Sequence, residues 1–500
     1  MNVKIDRNSK TSIYLQIASQ LKREIFSGEL NRGSTLPSER AMASILGVHR
    51  NTVVKAYSEL KDDELIESRQ GVGYIVTAGQ NPSEDSSEKN LHENRTKNKR
   101  VNWVNQIKPG FLDMEKTFDD LFQRFGSENK YSLGSGISEA GVYDNKKVAQ
   151  DITDIITAEG KNQYFYSPYK GDKFLRQKIV SFLSTKGIKA STGQIQVLTE
   201  TNQALDFLVM LLIKPGDTVI MEEPVSPDAY RAMELADAVI RTVPMDENGM
   251  KCDVLESLIE KYKPRFIYVN SSFHDPTGAI LSLERRKKII EISNRYRVPV
   301  IEEDAASELV YTGEKLPPIK AFDTLDNVVY IYSFSLTFMP GLSLAFVVAD
   351  RDLIRSLSYL VSVRMVATDW MSQKLVARYL DDGTYYGVLD VFRNDYGRKQ
   401  GIICDALDNM KEEGLKVEYI RPRGGVYIWC RLPAGIDCKD FIGKAYNRGV
   451  ALLPGYVFYP FRNGGRDRVR INYSFETDER LKEGMEVFRQ VLEEELAHKK

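Results

Sequence analysis

Apolar residues recur at helical spacing in the N-terminal part of the chain, which predicts helices that each bury one face. The positions expected to face inward in three successive helices are Ile13, Ile17, Leu21 and Ile25, then Met42, Ile45 and Leu46, then Val53, Ala56, Tyr57 and Leu60. Gly28 and Gly47 follow the first two patterns, and glycine is the usual residue just beyond a helix end. Ser38 is suited to cap the second helix. This part is therefore predicted to be a small helical unit.

The pattern changes after the third helix from helical spacing to short β-prone runs. The segment LIESRQGVGYIVT has two such runs on either side of Gly71 and Gly73, which indicates a hairpin. Two helices joined by a tight turn and followed by a hairpin make a winged helix-turn-helix, whose second helix enters the major groove of DNA. The polar face of that helix carries Arg50, Asn51, Thr52 and Lys55. The alternative role for these side chains is to solvate an exposed helix face.

Residues 78–100 form the next segment, which is polar, highly charged and without apolar periodicity. Such a segment buries too little apolar surface to offset the entropy lost on ordering, so it predicts a flexible linker. Its last residues, KNKR, either contact DNA or, as we favour, are a solvated run of charge. The predicted organisation is residues 1–77 as a DNA-binding domain, 78–100 as a linker and 101–500 as a larger domain.

In the larger domain, helical stretches alternate with short β-prone runs such as DTVIME, RFIYVN, VPVIEED and NVVYIYSFS. This alternation predicts an α/β fold with a mainly parallel sheet. Near the end of the chain, GGVYIWCRLP and DRVRINYSF precede a final amphipathic pattern. That order predicts a smaller α+β lobe.

Composition narrows the class of protein without naming a function. The formal net charge is −1 over 500 residues, so any contact with DNA must come from a local patch. No segment approaches the roughly 18 uncharged apolar residues of a membrane span, and the start has no apolar targeting segment. We therefore expect a soluble cytoplasmic protein. Buried thiols and no zinc site are expected of the cysteines, which form no CxxC pair: Cys252, Cys404, Cys430 and Cys438.

The N-terminal sequence also contains three specific elements: LPSER at residues 36–40, RNTV at 50–53 and the Gly-x-Gly of the predicted wing. With these it resembles the GntR family of bacterial regulators from YLQIASQ to GVGYIV. The resemblance implies that operator DNA is recognised by Ser38, Arg40, Arg50, Thr52 and Gly73. Further candidate contacts to DNA are His49, Asn51, Lys55 and Gly71. His49 departs from the family, which usually has a serine or threonine there to cap the helix.

The order of segments in the larger domain carries a second resemblance. YSPYKGDKFLRQKI, LTETNQALDFLVMLL, FHDPTGAILSLERR, VIEEDAASELVY, YSFSLTFMPGLSLAFVV and RVRINYSF are similar, in this order, to fold-type I aminotransferases, which use pyridoxal phosphate. A GntR-type head joined to such a domain is typical of the MocR/GabR subfamily. The resemblance implies a homodimer, with the head of one subunit over the large domain of the other.

The resemblance also places the cofactor site, and the chain departs from the family pattern there. The lysine that would hold the aldehyde as an imine and move protons falls on Leu336 in SFSLTFMPGL. The phosphate-binding arginine falls on Ser343, and the glycine of the phosphate loop falls on Glu200. A carboxylate beside a phosphate is repulsive where a helix start should attract an anion. At the ring end, the acid that pairs with the ring nitrogen falls on Glu303 and the asparagine on Asp275.

One anion-binding position of the family is retained. Arg470 in RVRINYS falls on the arginine that binds a substrate α-carboxylate, and a planar guanidinium suits a carboxylate. The alternative is an internal salt bridge to Glu200, Asp275 or Glu303. A metal cluster of Asp275, Glu303 and Asp304 is disfavoured, because no histidine or known loop accompanies them.

The sequence thus predicts a DNA-binding transcriptional regulator that acts on a double-stranded operator as a homodimer. Its aminotransferase-like domain is predicted to be catalytically inactive and without a bound cofactor, and to respond to a small molecule such as a carboxylate. One alternative is noncovalent binding of pyridoxal phosphate as a sensed ligand. A less favoured alternative is an active aminotransferase that uses Lys315 or Lys320.

Overall fold

The computed structural model describes residues 12–26, 30, 33–62, 65–69, 73–77, 103–107, 131–134 and 143–497, together with residues 3, 5 and 111. Its contacts divide the chain into two units, Met1–Leu112 and Asp113–Lys500. The predicted linker, residues 78–100, and Gly71 lie outside the described residues, and the boundaries at 77 and 100 stay predictions. Among the helices that are described, none is long and apolar enough to cross a membrane.

The N-terminal unit consists of helices and a small antiparallel sheet. The helices are α1 (Ile13–Phe26), α2 (Glu39–Leu46) and α3 (Arg50–Asp62), and the strands are β1 (Thr35–Leu36), β2 (Ile66–Arg69) and β3 (Gly73–Val76). The strand order is β1-β3-β2, with both pairs antiparallel. Ser38 caps α2 by accepting the N–H of Ala41 at 3.3 Å, and α2 ends at Gly47, whose φ is 62°. The predicted winged helix-turn-helix is confirmed.

The core of this unit contains most of the residues that the pattern places inside it. Those with at most 1% exposure are Ile17, Leu21, Ile25, Met42, Val53, Ala56, Tyr57 and Leu60. The prediction for Ile45 is wrong, because its exposure is 64%. The inward face of α2 passes through Met42, Ala43 and Leu46. At roughly 100° per residue, Ile45 is turned about 100° away from the middle of that face.

The larger unit is organised around an eight-stranded sheet in the order β5-β12-β11-β10-β9-β6-β7-β8. Its strands are β5 (Ile195–Leu198), β6 (Thr218–Glu223), β7 (Val239–Asp246), β8 (Gly249–Met250), β9 (Ile267–Asn270), β10 (Val300–Asp304), β11 (Val328–Ser333) and β12 (Ala345–Val348). Antiparallel pairing is confined to β12 with its two neighbours and to β7 with β8. The predicted mainly parallel sheet is confirmed.

Helices cover both faces of this sheet. They are α4 (Asn145–Glu159), α5 (Lys173–Thr185), α6 (Thr201–Leu212), α7 (Pro227–Leu235), α8 (Cys252–Tyr262), α9 (Leu283–Tyr296), α10 (Arg351–Arg364), α11 (Trp370–Asp382) and α12 (Thr384–Glu412). Side chains alternate between the faces along β10: Val300 packs with Leu255 of α8 and Ile289 of α9, whereas Ile301 packs with residues of α6 and α7. Strands buried on both faces read as nearly continuous apolar runs, which is the pattern seen in the sequence.

A smaller lobe follows in the C-terminal part. It contains β13 (Tyr427–Arg431), β14 (Val450–Ala451), β15 (Leu453–Pro454) and β16 (Arg468–Asn472), with helices α13 (Cys438–Asn447) and α14 (Asp478–Ala497). Its sheet has the order β13-β16-β15, and β14 pairs with β4 (Tyr131–Ser132). The predicted α+β lobe is confirmed. Cys404, Cys430 and Cys438 are buried as expected, while Cys252 is half-buried.

Candidate functional site

The start of the recognition helix α3 is capped by the residue that precedes it, His49. The ring of His49 accepts the N–H of Asn51 through Nδ1 at 3.2 Å, so the histidine provides the cap that a serine or threonine usually provides. The carbonyl of His49 accepts the N–H of Thr52 at 2.9 Å. Although His49 replaces the serine or threonine that is usual in the GntR family, the start of α3 is therefore still capped.

Glu39 links three elements of the head, and its role is not apparent from the sequence pattern alone. Its Oε2 accepts two N–H bonds from Arg50, at 3.0 Å from Nε and 2.7 Å from Nη2, and its Oε1 accepts the hydroxyl of Tyr74 at 2.7 Å. The bonds from Tyr74 and Arg50 lower the pKa of Glu39. One carboxylate at the start of α2 thus fixes the first residue of α3 against a residue of the wing strand β3.

The predicted DNA contacts lie on the surface of the head wherever the structure describes them. Exposed side chains are those of Ser38, Arg40, His49, Arg50, Asn51 and Lys55, and the half-buried residues are Thr52 and Gly73. Arg50, with a side chain 53% exposed, is held in place but remains accessible. The position of Gly71 lies outside the described residues. Their contact with DNA stays a prediction.

In the larger unit, the candidate residues meet at one edge of the eight-stranded sheet. β5, β9, β10 and β11 run in the same direction, so their carboxyl ends share this edge. Glu200 follows β5, Asp275 follows β9, Glu303 lies near the end of β10, and Leu336 follows β11. In open α/β sheets, ligands bind outside the carboxyl ends of the strands. The order of segments therefore brings these residues to the place where the fold binds ligands.

Glu200 lies at the start of helix α6, and its carboxylate bonds to neighbouring serine hydroxyls and not to the N–H groups of the helix. Glu200 is the residue that precedes the first turn, where backbone N–H groups and the helix dipole attract an anion. Its carboxylate accepts the hydroxyl of Ser333 at 3.0 Å and that of Ser335 in a shorter bond. These two hydroxyls, which are possible donors to a ligand, are thus bonded to a side chain of the same protein.

Leu336 and Ser343 complete the region where the family holds the phosphate and the imine. Leu336 is half-buried and packs against the main core. Ser343 is exposed, has a φ of 45° and bonds only to the carbonyl of Pro340, at 3.4 Å. Neither side chain can form an imine or carry a positive charge.

At the ring end, Glu303 is bonded to a neighbouring strand. The hydroxyl of Tyr268 donates to its Oε2 at 2.6 Å. Burial raises the pKa of Glu303 to about 7, although the bond from Tyr268 opposes the shift. Asn270, in register with Glu303, is 7% exposed and its side-chain oxygen has no hydrogen-bond partner.

Arg470, on β16 of the smaller lobe, forms the internal salt bridge that was one of its two predicted roles. Its Nη1 lies 2.7 Å from Oδ1 of Asp275, and its Nη2 donates to the carbonyl of Gly134 at 2.9 Å. The guanidinium also lies over the ring of Tyr427, 4.2 Å from its centroid. Asp275 raises the pKa of Arg470 against the effect of burial. Whether Arg470 also receives an effector carboxylate stays a prediction.

A second charge cluster lies on the opposite face of the sheet and was missed from the sequence. Asp304 follows Glu303, so its side chain points the other way, where it pairs with Lys186 at 3.3 Å. Lys186 also pairs with Glu308 at 2.6 Å, and Lys315 bonds to Glu308. Because Asp304 is turned away from Asp275 and Glu303, these acids do not converge. Among the described residues there is no group of three side chains placed to hold a metal.

The residues at this edge do not fit pyridoxal phosphate as the fold family binds it. Both serine hydroxyls already bond to Glu200, the residue just before α6, and the nearby Arg470 already bonds to Asp275. Glu303 alone retains an acid suited to a pyridine nitrogen. A bound phosphate would have to displace a carboxylate of the protein.

Comparison with known proteins agrees with the fold of the two units. The model of the family "Aminotransferase class I and II" matches residues 127–488, and that of "Bacterial regulatory proteins, gntR family" matches residues 13–76. The crystal structure of a multiple substrate aminotransferase from Thermococcus profundus has a TM-score of 0.74 and 26% identity, covering 80% of this chain and 100% of that one.

Two relatives match both units of the chain. The uncharacterized HTH-type transcriptional regulator YisV of Bacillus subtilis is 26% identical over 94% of this chain and 93% of its own length. The probable rhizopine catabolism regulatory protein MocR of Rhizobium meliloti is 25% identical over 90% of this chain and 88% of its own. The chain therefore belongs to the aminotransferase class I and II family and, through its GntR-type head, to the MocR-type group of bacterial transcriptional regulators.

Proposed function

We propose that this MocR-type regulator binds a specific operator through its head, while its aminotransferase-like domain is catalytically inert and serves to dimerise and to bind an effector. The observation that carries the proposal is the carboxylate of Glu200. It lies at the anion-attracting start of α6 and is bonded to Ser333 and Ser335. With Leu336 in place of an amine, neither the phosphate nor the aldehyde of the cofactor has its usual partner.

Noncovalent binding of pyridoxal phosphate is the second candidate. Glu303, with its bond from Tyr268, favours it, because a carboxylate there can still pair with a pyridinium. A ligand shifts an equilibrium only by its difference in affinity for the two states. Binding that must displace Glu200 from two hydroxyls would therefore give weak control.

An active aminotransferase with a substitute lysine has less support. Lys315 bonds to Glu308, and Lys320 pairs with Asp323 at 2.9 Å and with Asp326 at 3.2 Å. A paired ammonium must lose both its partner and its proton before it can attack an aldehyde.

Dimerisation is supported by an exposed aromatic segment between α4 and α5. Tyr164, Phe165 and Tyr166 are 80%, 71% and 83% exposed. Three adjacent aromatic side chains in water are a costly surface for a monomer, and such patches mark interfaces. Light scattering after gel filtration should give twice the chain mass. Phe165→Ser should shift the protein towards a monomer. The control is Phe461→Ser, which changes another phenylalanine that is 55% exposed and should leave the dimer intact. A monomeric wild type would contradict the proposal.

The test of inertness is a titration of dialysed protein with pyridoxal phosphate, followed by visible absorbance and by thermal stability. A ligand that binds only the folded state raises the apparent melting temperature even without an imine. We expect neither a site-specific imine band nor a stability rise. An imine that maps to one lysine would refute the inert domain, and a stability rise without that band would establish the noncovalent alternative.

A matched variant sharpens this test. Glu200→Gly removes the internal carboxylate and frees Ser333 and Ser335. We expect this variant to be stabilised by pyridoxine 5′-phosphate, which has no aldehyde, while the wild type is not. Equal responses of the two proteins would show that Glu200 does not block the phosphate position.

A further inference from the structure

Four polar side chains share one face of the sheet at its carboxyl edge. Asn270 on β9, Glu303 on β10 and Ile331 on β11 are in register, and residues in register on neighbouring strands point to the same face. Tyr268 lies two residues before Asn270, and Ser333 lies two residues after Ile331, so both share that face. Neighbouring strands are roughly 4.8 Å apart. The Asn270 amide and the Glu303 carboxylate are therefore adjacent.

Most groups that would bind an anion at this edge already bond to a carboxylate of the protein, although the buried Nε of Arg470 has no hydrogen-bond partner among the described residues. The Ser333 and Ser335 hydroxyls serve Glu200, and the guanidinium of Arg470 serves Asp275 at 2.7 Å. An incoming phosphate or carboxylate must compete with a tethered carboxylate for each of them. Separating a buried ion pair is costly, because it leaves a charge without a partner.

The groups that would bind a cation are not satisfied. Asn270 is 7% exposed, and its Oδ1 accepts no hydrogen bond from any residue that the structure describes, which is unusual for a buried polar atom. Among the described residues, Tyr268 is the only donor to the Glu303 carboxylate. An ionised carboxylate can accept about four hydrogen bonds. Within the described part of the chain, the buried Asn270 oxygen thus has no donor, and the half-buried Glu303 carboxylate has one donor and can accept more.

The charges around Glu303 have the same sign. The charged groups that act on Glu303 from neighbouring elements are Asp228 at the start of α7 and Asp275 after β9, with Asp304 on its own strand. Of these, Asp275 is paired with Arg470 and Asp304 with Lys186. The Asp228 side chain is 55% exposed and lies 3.8 Å from Arg231. Glu303 itself has no cationic partner in the part of the chain that the structure describes.

We propose that this face binds a small organic cation with N–H donors, most simply a protonated primary amine. The ammonium would donate to the Glu303 carboxylate and to Asn270 Oδ1, and would supply the positive charge that the face lacks. The inference rests on the proposed loss of cofactor chemistry and deepens it: the effector is a cation without phosphate or carboxylate. Arg470 then acts as a fixed counter-ion of Asp275 and not as an effector contact.

The proposal predicts a pH dependence of binding. The pKa of Glu303 is raised to about 7 by burial, so the carboxylate is mostly protonated at pH 6 and mostly ionised at pH 8. A cation binds the ionised form, so affinity should rise about tenfold over this interval. The other titratable groups that interact electrostatically with Glu303 are Tyr268, Tyr427, Asp228, Asp275, Glu222 and, from the opposite face of the sheet, Asp304.

The test uses full-length protein and two pairs of probes matched in size but opposite in charge. Benzylamine is compared with benzoate, and 1,4-diaminobutane with succinate, by calorimetry at constant ionic strength. We expect at least one amine to bind and to bind at least tenfold more tightly than its carboxylate partner. Tighter binding of the carboxylates, or no binding of either amine, would overturn the proposal.

Variants locate the binding at this face. Glu303→Gln keeps the shape of the side chain and the bond from Tyr268 but removes the negative charge. Because charge-assisted hydrogen bonds are stronger than neutral ones, this variant should bind the amine at least tenfold more weakly. The pH dependence of amine binding should also disappear. Asp352→Asn is the matched control, because it removes an acid from an exposed ion pair with Arg355, and it should bind as the wild type does. Unchanged affinity in Glu303→Gln would overturn the assignment.

The outcome is separable from that of the proposed function. Operator binding without ligand and the pyridoxal phosphate titration test the regulator and its inert domain. If both give the expected results while the amines fail to bind, the regulator stands and the cation site falls. An imine with pyridoxal phosphate would remove the proposed function, whatever the amines do.

Discussion

Glu39→Gln should weaken recognition of the operator even though Glu39 is not among the predicted DNA contacts. Its carboxylate accepts two bonds from Arg50, at 3.0 and 2.7 Å, and one from Tyr74 at 2.7 Å. Glutamine keeps the size but loses the charge that fixes the guanidinium. Arg50 must then be ordered when DNA binds, and immobilising an arginine side chain costs up to roughly 2 kcal/mol.

The magnitude follows from the exposure of the pair. The side chain of Arg50 is 53% exposed, and exposed ion pairs contribute about 0.2–1 kcal/mol. We therefore expect specific affinity to fall by about 0.5–1 kcal/mol, which is roughly two- to fivefold. Arg50→Ala should cost more, about 1–3 kcal/mol, if Arg50 reads a base edge.

A fluorescence titration with an operator selected from random duplexes measures both effects. Loss of a negative charge should also strengthen nonspecific binding at low salt, because that binding is electrostatic, so a scrambled duplex is titrated in parallel. In the Arg50→Ala background, Glu39→Gln should no longer weaken specific binding. An equal loss in both backgrounds would refute the idea that Glu39 acts by positioning Arg50. Tyr74→Phe shows how much of the effect comes from the wing.

Three further outcomes are expected for the larger unit. Leu336→Lys alone should not restore transamination, because the phosphate position is still taken by Glu200; turnover of an amino acid in that variant would show that the site was misinterpreted. Asp275→Ala should lower the free energy of unfolding by about 3–5 kcal/mol, since it leaves the Arg470 charge buried without a partner, and a change below about 1 kcal/mol in urea titrations would contradict this. In the folded protein the pKa of Glu303 is about 7, above the ordinary value of a glutamate. As the pH rises from the ordinary pKa to the raised one, this group therefore lowers the free energy of unfolding. Glu303→Gln should therefore stabilise the protein at pH 8, on the order of 2–3 kcal/mol, and leave it unchanged at pH 4; a larger gain at low pH would reverse the sign that we infer.

Helices and strands were predictable from the sequence because their signals are local. The inward positions of α1 and α3 follow one helical period over several turns, and all of them are buried except Ile13, which is half-buried. Ile45 was assigned wrongly because α2 has only eight residues, too few turns for apolar spacing alone to choose between neighbouring faces. His49 shows the same limit in side-chain chemistry, because its ring caps α3 in a way that residue preferences do not anticipate.

The sequence was enough to predict which residues lie at the site, but not which of them bond to one another. The order of segments brought Glu200, Asp275, Glu303 and Arg470 to one region by resemblance, and an internal salt bridge for Arg470 was left open among three acids. The partners that decide the chemistry are far apart in sequence: Asp275 and Arg470 are separated by 195 residues, and Glu200 and Ser335 by 135. Such contacts depend on how strand ends converge, which spacing along the chain does not encode.

The internal carboxylates of Glu200 and Asp275 have a consequence for the abundance of this regulator in the cell. When a protein is stabilised by a bound cofactor, its free energy of unfolding rises with the logarithm of the cofactor concentration. The folded fraction of such a protein therefore falls when the cofactor is scarce. In this chain the carboxylates of Glu200 and Asp275 are part of the polypeptide, so every molecule carries them from synthesis onwards. With the cofactor-free domain that we propose, the level of folded regulator would not depend on cofactor supply, and a change in DNA occupancy would report the effector alone.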